Sequence, residues 1–167
     1  EMSPINIFCF GFGQVAKQFI KKLTAENKKI ELCVTSRDNS QMKNFENLNF
    51  QSFKFDGKNF DHNIVSKIKD ANYILVSIPP VENTDIVIKN FQESLKNTKC
   101  TWATYLSATS VYGNHNGNWV NENSKLKGKT KFGLGRKLVE NDWVRFRNKT
   151  NLDINIFDKL RKKIWYV

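Results

Sequence analysis

The feature that most constrains the fold of this chain lies near its start, between Pro4 and Leu23. A short apolar run, Ile5 to Phe10, ends at a glycine. A segment with helical periodicity follows at once, with apolar side chains on one face and mainly lysine and glutamine on the other. This order predicts a buried strand, a tight turn and an amphipathic helix.

The turn has a G-x-G-x-x-A pattern that runs from Gly11 to Ala16. Gly11 would make the sharp turn, and Gly13 would let a pyrophosphate approach the backbone because it has no side chain. The N-terminus of the helix adds N–H donors and the positive end of its dipole. The position of the pattern between a strand and a helix favours a dinucleotide site over a plain glycine turn. The predicted cofactor contacts in the turn are Gly11, Phe12, Gly13, Gln14 and Val15.

The rest of the chain alternates between apolar strand-like runs and amphipathic segments. Strands are predicted at 30–36, 50–55, 73–78, 101–106 and 152–157, and helices near Met42 to Leu48, at 61–69, from Thr84 to Lys96 and from Gly133 to Arg147. This alternation predicts an α/β fold with a doubly wound parallel sheet, the NAD(P)-binding Rossmann fold, in the strand order 3-2-1-4-5-6. The third strand is expected near a sheet edge. Residues 1–167 are expected to form a single domain.

Composition argues against several other classes of protein. The net charge is +11, but the lysines are spread over nearly every predicted helix and loop without a recognition motif, so binding to nucleic acid is not expected. No apolar run reaches the roughly 20 residues of a membrane helix. Cys9, Cys33 and Cys100 are placed in predicted buried strands, which indicates reduced thiols and a cytoplasmic protein. No cysteine or histidine spacing suggests a metal site.

The end of the second strand bears on which dinucleotide would bind. NAD-specific versions of this fold have an acidic side chain there, which binds the ribose 2′-hydroxyl. Here the strand ends in Thr35, Ser36 and Arg37, and a guanidinium is suited to the 2′-phosphate of NADP. Ser36 and Arg37 are therefore predicted cofactor contacts, with NADP favoured over NAD. Asp38 is the competing feature, because a shift of register would make it the ribose acceptor.

Three further stretches carry a resemblance to a known family. They read YLSATSVYG from Tyr105 to Gly113, GNWVNE from Gly117 to Glu122, and FGLGRKLVE from Phe132 to Glu140. Together with the glycine turn they resemble the extended short-chain dehydrogenase/reductases, the NAD(P)-dependent epimerase/dehydratase family, and within it an atypical subgroup of nucleoside-diphosphate-sugar epimerases. The resemblance implies a nicotinamide dinucleotide and a nucleotide sugar as ligands. It also implies cofactor contacts at Asp56, which matches the family's adenine contact, and at Ser77 and Pro79, where the family's fourth-strand loop passes the cofactor.

The resemblance breaks down at the catalytic positions. The family uses a Ser or Thr, a Tyr and a Lys, and the aligned residues here are Ala108, Phe132 and Arg136. Neither alanine nor phenylalanine has a proton to transfer. Ser107, Thr109 and Tyr112 are nearby hydroxyls that would replace them if the loop shifts by one residue, with Arg136 still able to hold a ribose or phosphate.

The family continues past its sixth strand into a half that closes over the sugar nucleotide, and this half is expected to be absent here. Apolar surface left exposed around the sixth strand would favour a homo-oligomer. Two main hypotheses stay open, beside a third and less favoured one in which the basic surface binds nucleic acid. One is an NADP-dependent epimerase or reductase, and the other is a dinucleotide-binding module or sensor without redox chemistry.

Overall fold

The computed structural model describes residues 3–26, 29–78, 81–82, 84–100, 102–107, 153–158 and 163–166. The strands and helices of this part of the chain are, in order, β1 (Ile5–Phe10), α1 (Gln14–Ala25), β2 (Ile30–Ser36), β3 (Gln41–Phe45), β4 (Leu48–Lys54), α2 (Asn63–Asp70), β5 (Tyr73–Val76), α3 (Ile86–Lys96), β6 (Trp102–Ser107), β7 (Asp153–Asp158) and β8 (Lys163–Tyr166).

The strands form one eight-stranded sheet in the order β3-β4-β2-β1-β5-β6-β7-β8. All pairs from β4 to β7 are parallel, and the outermost strands β3 and β8 pair antiparallel with β4 and β7. The parallel part has the predicted order 3-2-1-4-5-6, so the doubly wound Rossmann-type sheet is confirmed. Parallel pairing also places the carboxyl ends of β1, β2, β4 and β5 at one edge of the sheet, where ligands of this fold bind.

Helices lie on both faces of the sheet because the central strands are apolar on both sides. On one face, α2 and α3 pack on an aromatic cluster in which the ring of Phe91 lies 5.4 Å from Phe10 and 5.0 Å from Phe55. On the other face, α1 buries Ala16 and Ile20 completely among residues of β1, β2 and β5. The small side chain of Ala16 therefore lies at a close helix–sheet contact, as the glycine pattern predicts.

The predicted helix near Met42 to Leu48 is wrong. This stretch belongs to a β-hairpin in which β3 and β4 are joined by Glu46 and Asn47. Both residues have positive φ, 49° and 63°, which is the conformation of a type I′ turn. Met42, Phe45 and Leu48 are three residues apart, a spacing that mimics a helix. The predicted third strand corresponds to β4, which lies next to the outermost strand β3 and therefore near the sheet edge, as expected.

Two smaller differences concern the position of Cys100 and an additional strand, β8. Cys100 is buried, but it precedes β6 instead of lying within it, while Cys9 and Cys33 lie in β1 and β2 as predicted. All three are free thiols, and burial raises the pKa of Cys9. The strand β8 was not predicted. The helix predicted from Gly133 to Arg147 lies outside the described residues.

The described residues contain neither a membrane-spanning helix nor a candidate metal cluster. None of their helices combines the length and the apolar character that crossing a membrane requires. They also contain no cluster of three or more side chains able to hold a metal ion.

Candidate functional site

The candidate site begins where β1 ends, at Gly11. This residue has a φ of +81°, a conformation that side chains rarely adopt. A Cβ placed there would lie 2.9 Å from Ser77 Oγ. The backbone N–H of Gly11 donates to Thr35 Oγ1 at 3.0 Å, and Thr35 is buried. The sharp turn predicted at Gly11 is thus held from both sides, by β2 and by the segment after β5.

Gly13 lies at the other end of the turn and has quite different surroundings. It is exposed, its φ of −89° suits any residue, and no atom lies within 4 Å of the position that a Cβ would take. Its carbonyl accepts from Lys17 N at 3.0 Å, which makes it the N-cap of α1. Space in front of Gly13 is therefore open for a ligand.

The first turn of α1 has the properties of an anion site. The first N–H groups of any helix lack intrahelical acceptors. At this N-terminus no side chain caps them, and the first turn contains no acidic residue. These donors lie next to the exposed Gly13, with Gln14 exposed and Val15 half-buried. The arrangement fits a pyrophosphate, which would meet N–H donors and the positive end of the helix dipole.

The side chain of Phe12 contributes to packing. Its ring lies 5.6 Å from that of Phe45 in β3 and 5.2 Å from that of Phe50 in β4. Lys17 Nζ lies 5.8 Å from the centre of the same ring. The ring of Phe12 thus packs the glycine turn against the β3–β4 hairpin, and its role as a cofactor contact stays a prediction.

Ser77 lies beside the glycine turn, as the resemblance implies. Its N–H and its hydroxyl both donate to the Phe10 carbonyl, at 2.9 and 3.1 Å. Ser77 thereby fixes the first residue after β5 against the end of β1. Pro79, the other predicted contact of this segment, lies outside the described residues.

The end of β2 presents hydroxyls and a cation. Ser36 is half-buried and accepts a hydrogen bond of 3.3 Å from the buried Ser52 Oγ. Arg37 and Asp38 follow in an exposed bend. β2 contains no carboxylate after Glu31, which lies near its start. The tip of the strand therefore lacks an acidic side chain, as the sequence predicts.

Asp56 lies close to the tip of β2, and its carboxylate already accepts hydrogen bonds within its own turn. The preceding residue, Phe55, donates its N–H to the Ser36 carbonyl at 2.7 Å. Asp56 Oδ1 accepts from the N–H groups of Asn59 and Lys58, at 2.7 and 2.9 Å. These bonds, with Asn59 first, lower the pKa of the carboxyl group. Asp56 is thus placed near the predicted adenine region, while one of its oxygens stabilises its own turn.

A cavity of about 260 Å³ lies between α1 and the β3–β4 hairpin on the α1 face of the sheet. We call it the hairpin trough. It is lined by the turn and α1 (Phe12, Lys17), by β2 (Val34, Thr35, Ser36), by β3 (Lys43, Asn44, Phe45) and by β4 (Phe50, Ser52). The trough and the Thr35 hydrogen bond were both missed by sequence reasoning. The sequence offers no clear signal for the hairpin, because Gln41 to Phe45 does not alternate between apolar and polar residues and the turn contains no glycine.

The predicted catalytic positions do not enter this description. Ala108, Thr109, Tyr112, Phe132 and Arg136 all lie outside the described residues. Of the predicted site residues that are described, the structure brings together Gly11, Gly13, Ser36, Asp56 and Ser77 at one edge of the sheet.

Comparison with known proteins agrees with this geometry at the level of the fold. No protein-family model matches the sequence, and no curated protein matches it either. Solved structures do. A functionally unknown conserved protein from Silicibacter pomeroyi is 23% identical with a TM-score of 0.64, over 91% of this chain and 52% of the other.

Two epimerases are also similar in structure. UDP-glucuronic acid 4-epimerase from Bacillus cereus, solved with NAD, is 15% identical with a TM-score of 0.65, over 90% of this chain and 54% of that one. UDP-N-acetylglucosamine 4-epimerase from Methanobrevibacter ruminantium is 18% identical with a TM-score of 0.65, over 93% and 54%. The chain thus spans about half the length of these proteins. The likeness confirms the Rossmann-type fold.

Proposed function

We propose that this chain binds a nicotinamide dinucleotide across the carboxyl edge of its parallel sheet. The observation that supports this most strongly is the contrast between the two glycines of the turn. Gly11 is required by the backbone itself, whereas nothing in the described structure needs a glycine at Gly13. A glycine there is explained by a ligand that approaches the helix N-terminus closely, and a pyrophosphate is such a ligand.

A substitution at Gly13 tests the proposal. Gly13→Val places a branched side chain in space that is open in the protein and would be filled by the pyrophosphate. We expect the variant to fold and to lose most of its affinity for NADP⁺ and NAD⁺ in calorimetric titrations. Circular dichroism serves as the folding control. A folded Gly13→Val protein that binds dinucleotide as the wild type does would reduce the glycine pattern to a simple turn.

We further propose that NADP(H) is preferred over NAD(H). The end of β2 offers hydroxyls and then Arg37, without a carboxylate to bind a free 2′-hydroxyl. A charge-assisted hydrogen bond to the 2′-phosphate is worth roughly 1.5–3 kcal/mol. We expect Arg37→Ala to remove a large part of the preference. Equal affinities of the wild-type protein for the two cofactors, or a preference for NAD⁺, would contradict the proposal.

The substrate class that we propose is a nucleotide sugar. Its support is the family resemblance of the sequence together with the fold shared with a UDP-glucuronic acid 4-epimerase and a UDP-N-acetylglucosamine 4-epimerase. Because Ala108 and Phe132 stand at the two hydroxyl positions of the family's catalytic set, we propose dinucleotide binding without efficient epimerase chemistry. Titration of UDP-glucuronic acid into the NADP⁺-loaded protein tests the binding half of this statement.

A further inference from the structure

The hairpin trough has a composition that suits a phosphate group. Two of its lining residues are cations on different elements, Lys17 on α1 and Lys43 on β3. None of the described residues that line it is acidic. The acidic residue of the hairpin turn, Glu46, is paired with Lys21 at 3.6 Å, and neither residue is among those that line the trough. Two half-buried lysines without a lining carboxylate favour an anionic ligand.

The position of Lys43 follows from the register of the hairpin. Lys43 pairs with Phe50, whose side chain belongs to the core cluster under α1, so Lys43 lies on the α1 face. The helix expected from the apolar spacing would not pair with β4, so it would not place Lys43 opposite Phe50. The cation is thus supplied by the element that the sequence did not predict.

The trough reaches the carboxyl end of β2 at Ser36. In this fold the adenosine ribose of a dinucleotide lies at the end of β2, with its pyrophosphate at the glycine turn. The group that faces the trough is then the substituent on the ribose 2′-oxygen. This substituent is a hydroxyl in NAD and a phosphate monoester in NADP.

Hydroxyls complete the polar lining at this end. Ser52 Oγ donates to Ser36 Oγ at 3.3 Å. In that arrangement the Ser36 hydroxyl hydrogen can be donated to a ligand oxygen. A phosphate at this point would meet one hydroxyl donor and two ammonium groups.

We propose that the hairpin trough is the subsite for the 2′-phosphate of a bound dinucleotide, and that Lys43, assisted by Lys17, is a specificity-determining residue for it. This inference rests on the proposed dinucleotide function and adds a second determinant to Arg37. Arg37 is exposed in the bend after β2 and does not line the trough, so the two residues act on the phosphate from different sides.

The test compares NADP⁺ and NAD⁺ binding by calorimetry in the wild-type protein and in Lys43→Met. Methionine keeps an unbranched stem opposite Phe50 and removes only the charge. We expect NADP⁺ to bind roughly ten-fold more weakly, as for the loss of one charge-assisted bond. NAD⁺ binding should change by less than about two-fold, the range of an ordinary surface substitution. Lys43→Arg keeps the charge and should retain most of the NADP⁺ affinity.

Two more variants complete the design. Lys69 is an exposed residue of α2, on the other face of the sheet. Lys69→Met removes one positive charge there and should leave the affinity for both cofactors unchanged. Lys17→Met should weaken NADP⁺ binding selectively, and it provides the same test from α1 if Lys43→Met fails to fold. Equal effects of Lys43→Met on both cofactors, or no effect on either, would overturn the trough assignment alone. A wild-type protein that binds neither cofactor would overturn the proposed function and this inference with it.

Discussion

At the scale of single residues, the glycine turn depends on one position that cannot take a side chain. Gly11 combines a φ of +81° with a Cβ position 2.9 Å from Ser77 Oγ and 3.3 Å from Ile78 Cγ1. A residue held in the left-handed region costs of order 1–3 kcal/mol. We expect Gly11→Ala to lower the free energy of unfolding by about that amount in chemical denaturation.

Gly13→Ser is the matched control for this change. Its new Cβ meets nothing within 4 Å, its φ is −89°, and serine is a good N-cap residue. Its stability should equal or slightly exceed that of the wild-type protein. If Gly11→Ala were as stable as Gly13→Ser, the turn would not be under the steric constraint described above.

The position of the hydrogen bond from Gly11 to Thr35 explains why part of the site escaped sequence reasoning. The two residues are 24 positions apart, and only the parallel pairing of β1 with β2 brings them together. The glycine pattern and the strand tip are local signals, which a single sequence shows directly. A contact across strands depends on the register, which the sequence does not show.

At the scale of elements, β1 and α1 have clear local signals in the sequence, whereas the hairpin of β3 and β4 does not. The strand–turn–helix unit was predicted because apolar residues of β1 form an unbroken run and those of α1 repeat with the helical period. In β3 the apolar residues Met42 and Phe45 are three positions apart, which fits the helical period and not the two-residue period of a strand. The deciding residues were Glu46 and Asn47, whose positive φ values are not evident from glutamate and asparagine alone.

The hairpin turn itself gives a prediction at this scale. Asn47 has a φ of 63°, which asparagine tolerates and a β-branched residue does not. Asn47→Val should destabilise the protein by about 1–2 kcal/mol, as measured by thermal or chemical unfolding. Asn47→Gly, which accepts positive φ without steric cost, is the control and should remain close to the wild-type stability. Equal losses for both variants would mean that the Asn47 side chain matters and its backbone conformation does not.

At the scale of the whole molecule, the sheet order decides which distant residues meet. Since the strands from β4 to β6 run parallel, the segments that follow β1, β2, β4 and β5 converge on one edge. Gly11, Ser36, Asp56 and Ser77 were predicted as cofactor contacts from separate motifs, and the confirmed strand order places them at this common edge. Their roles in binding stay predictions, as do the NADP preference and the cytoplasmic location.

The last prediction concerns chemistry. General acid–base catalysis typically contributes 10²–10⁴-fold to the rate, and it needs a titratable group within hydrogen-bond reach of the substrate oxygen. The resemblance places Ala108 and Phe132 where the family has its two hydroxyls, and neither can donate or accept a proton. Arg136 stands at the lysine position, and an arginine side chain is a poor proton shuttle because it stays protonated in proteins. We therefore expect the chain to bind cofactor without appreciable epimerase or dehydrogenase turnover.

The measurement is incubation of the wild-type protein with NADP(H) and a panel of UDP-sugars, followed by nicotinamide absorbance and chromatography of the sugars. Epimerisation regenerates the cofactor within each cycle, so the chromatographic arm is needed beside the absorbance. Turnover in the ordinary enzymatic range of about 1–10³ per second would contradict the prediction. It would show that other hydroxyls have replaced the missing ones, and Thr109→Val and Tyr112→Phe would then identify which of them transfers the proton.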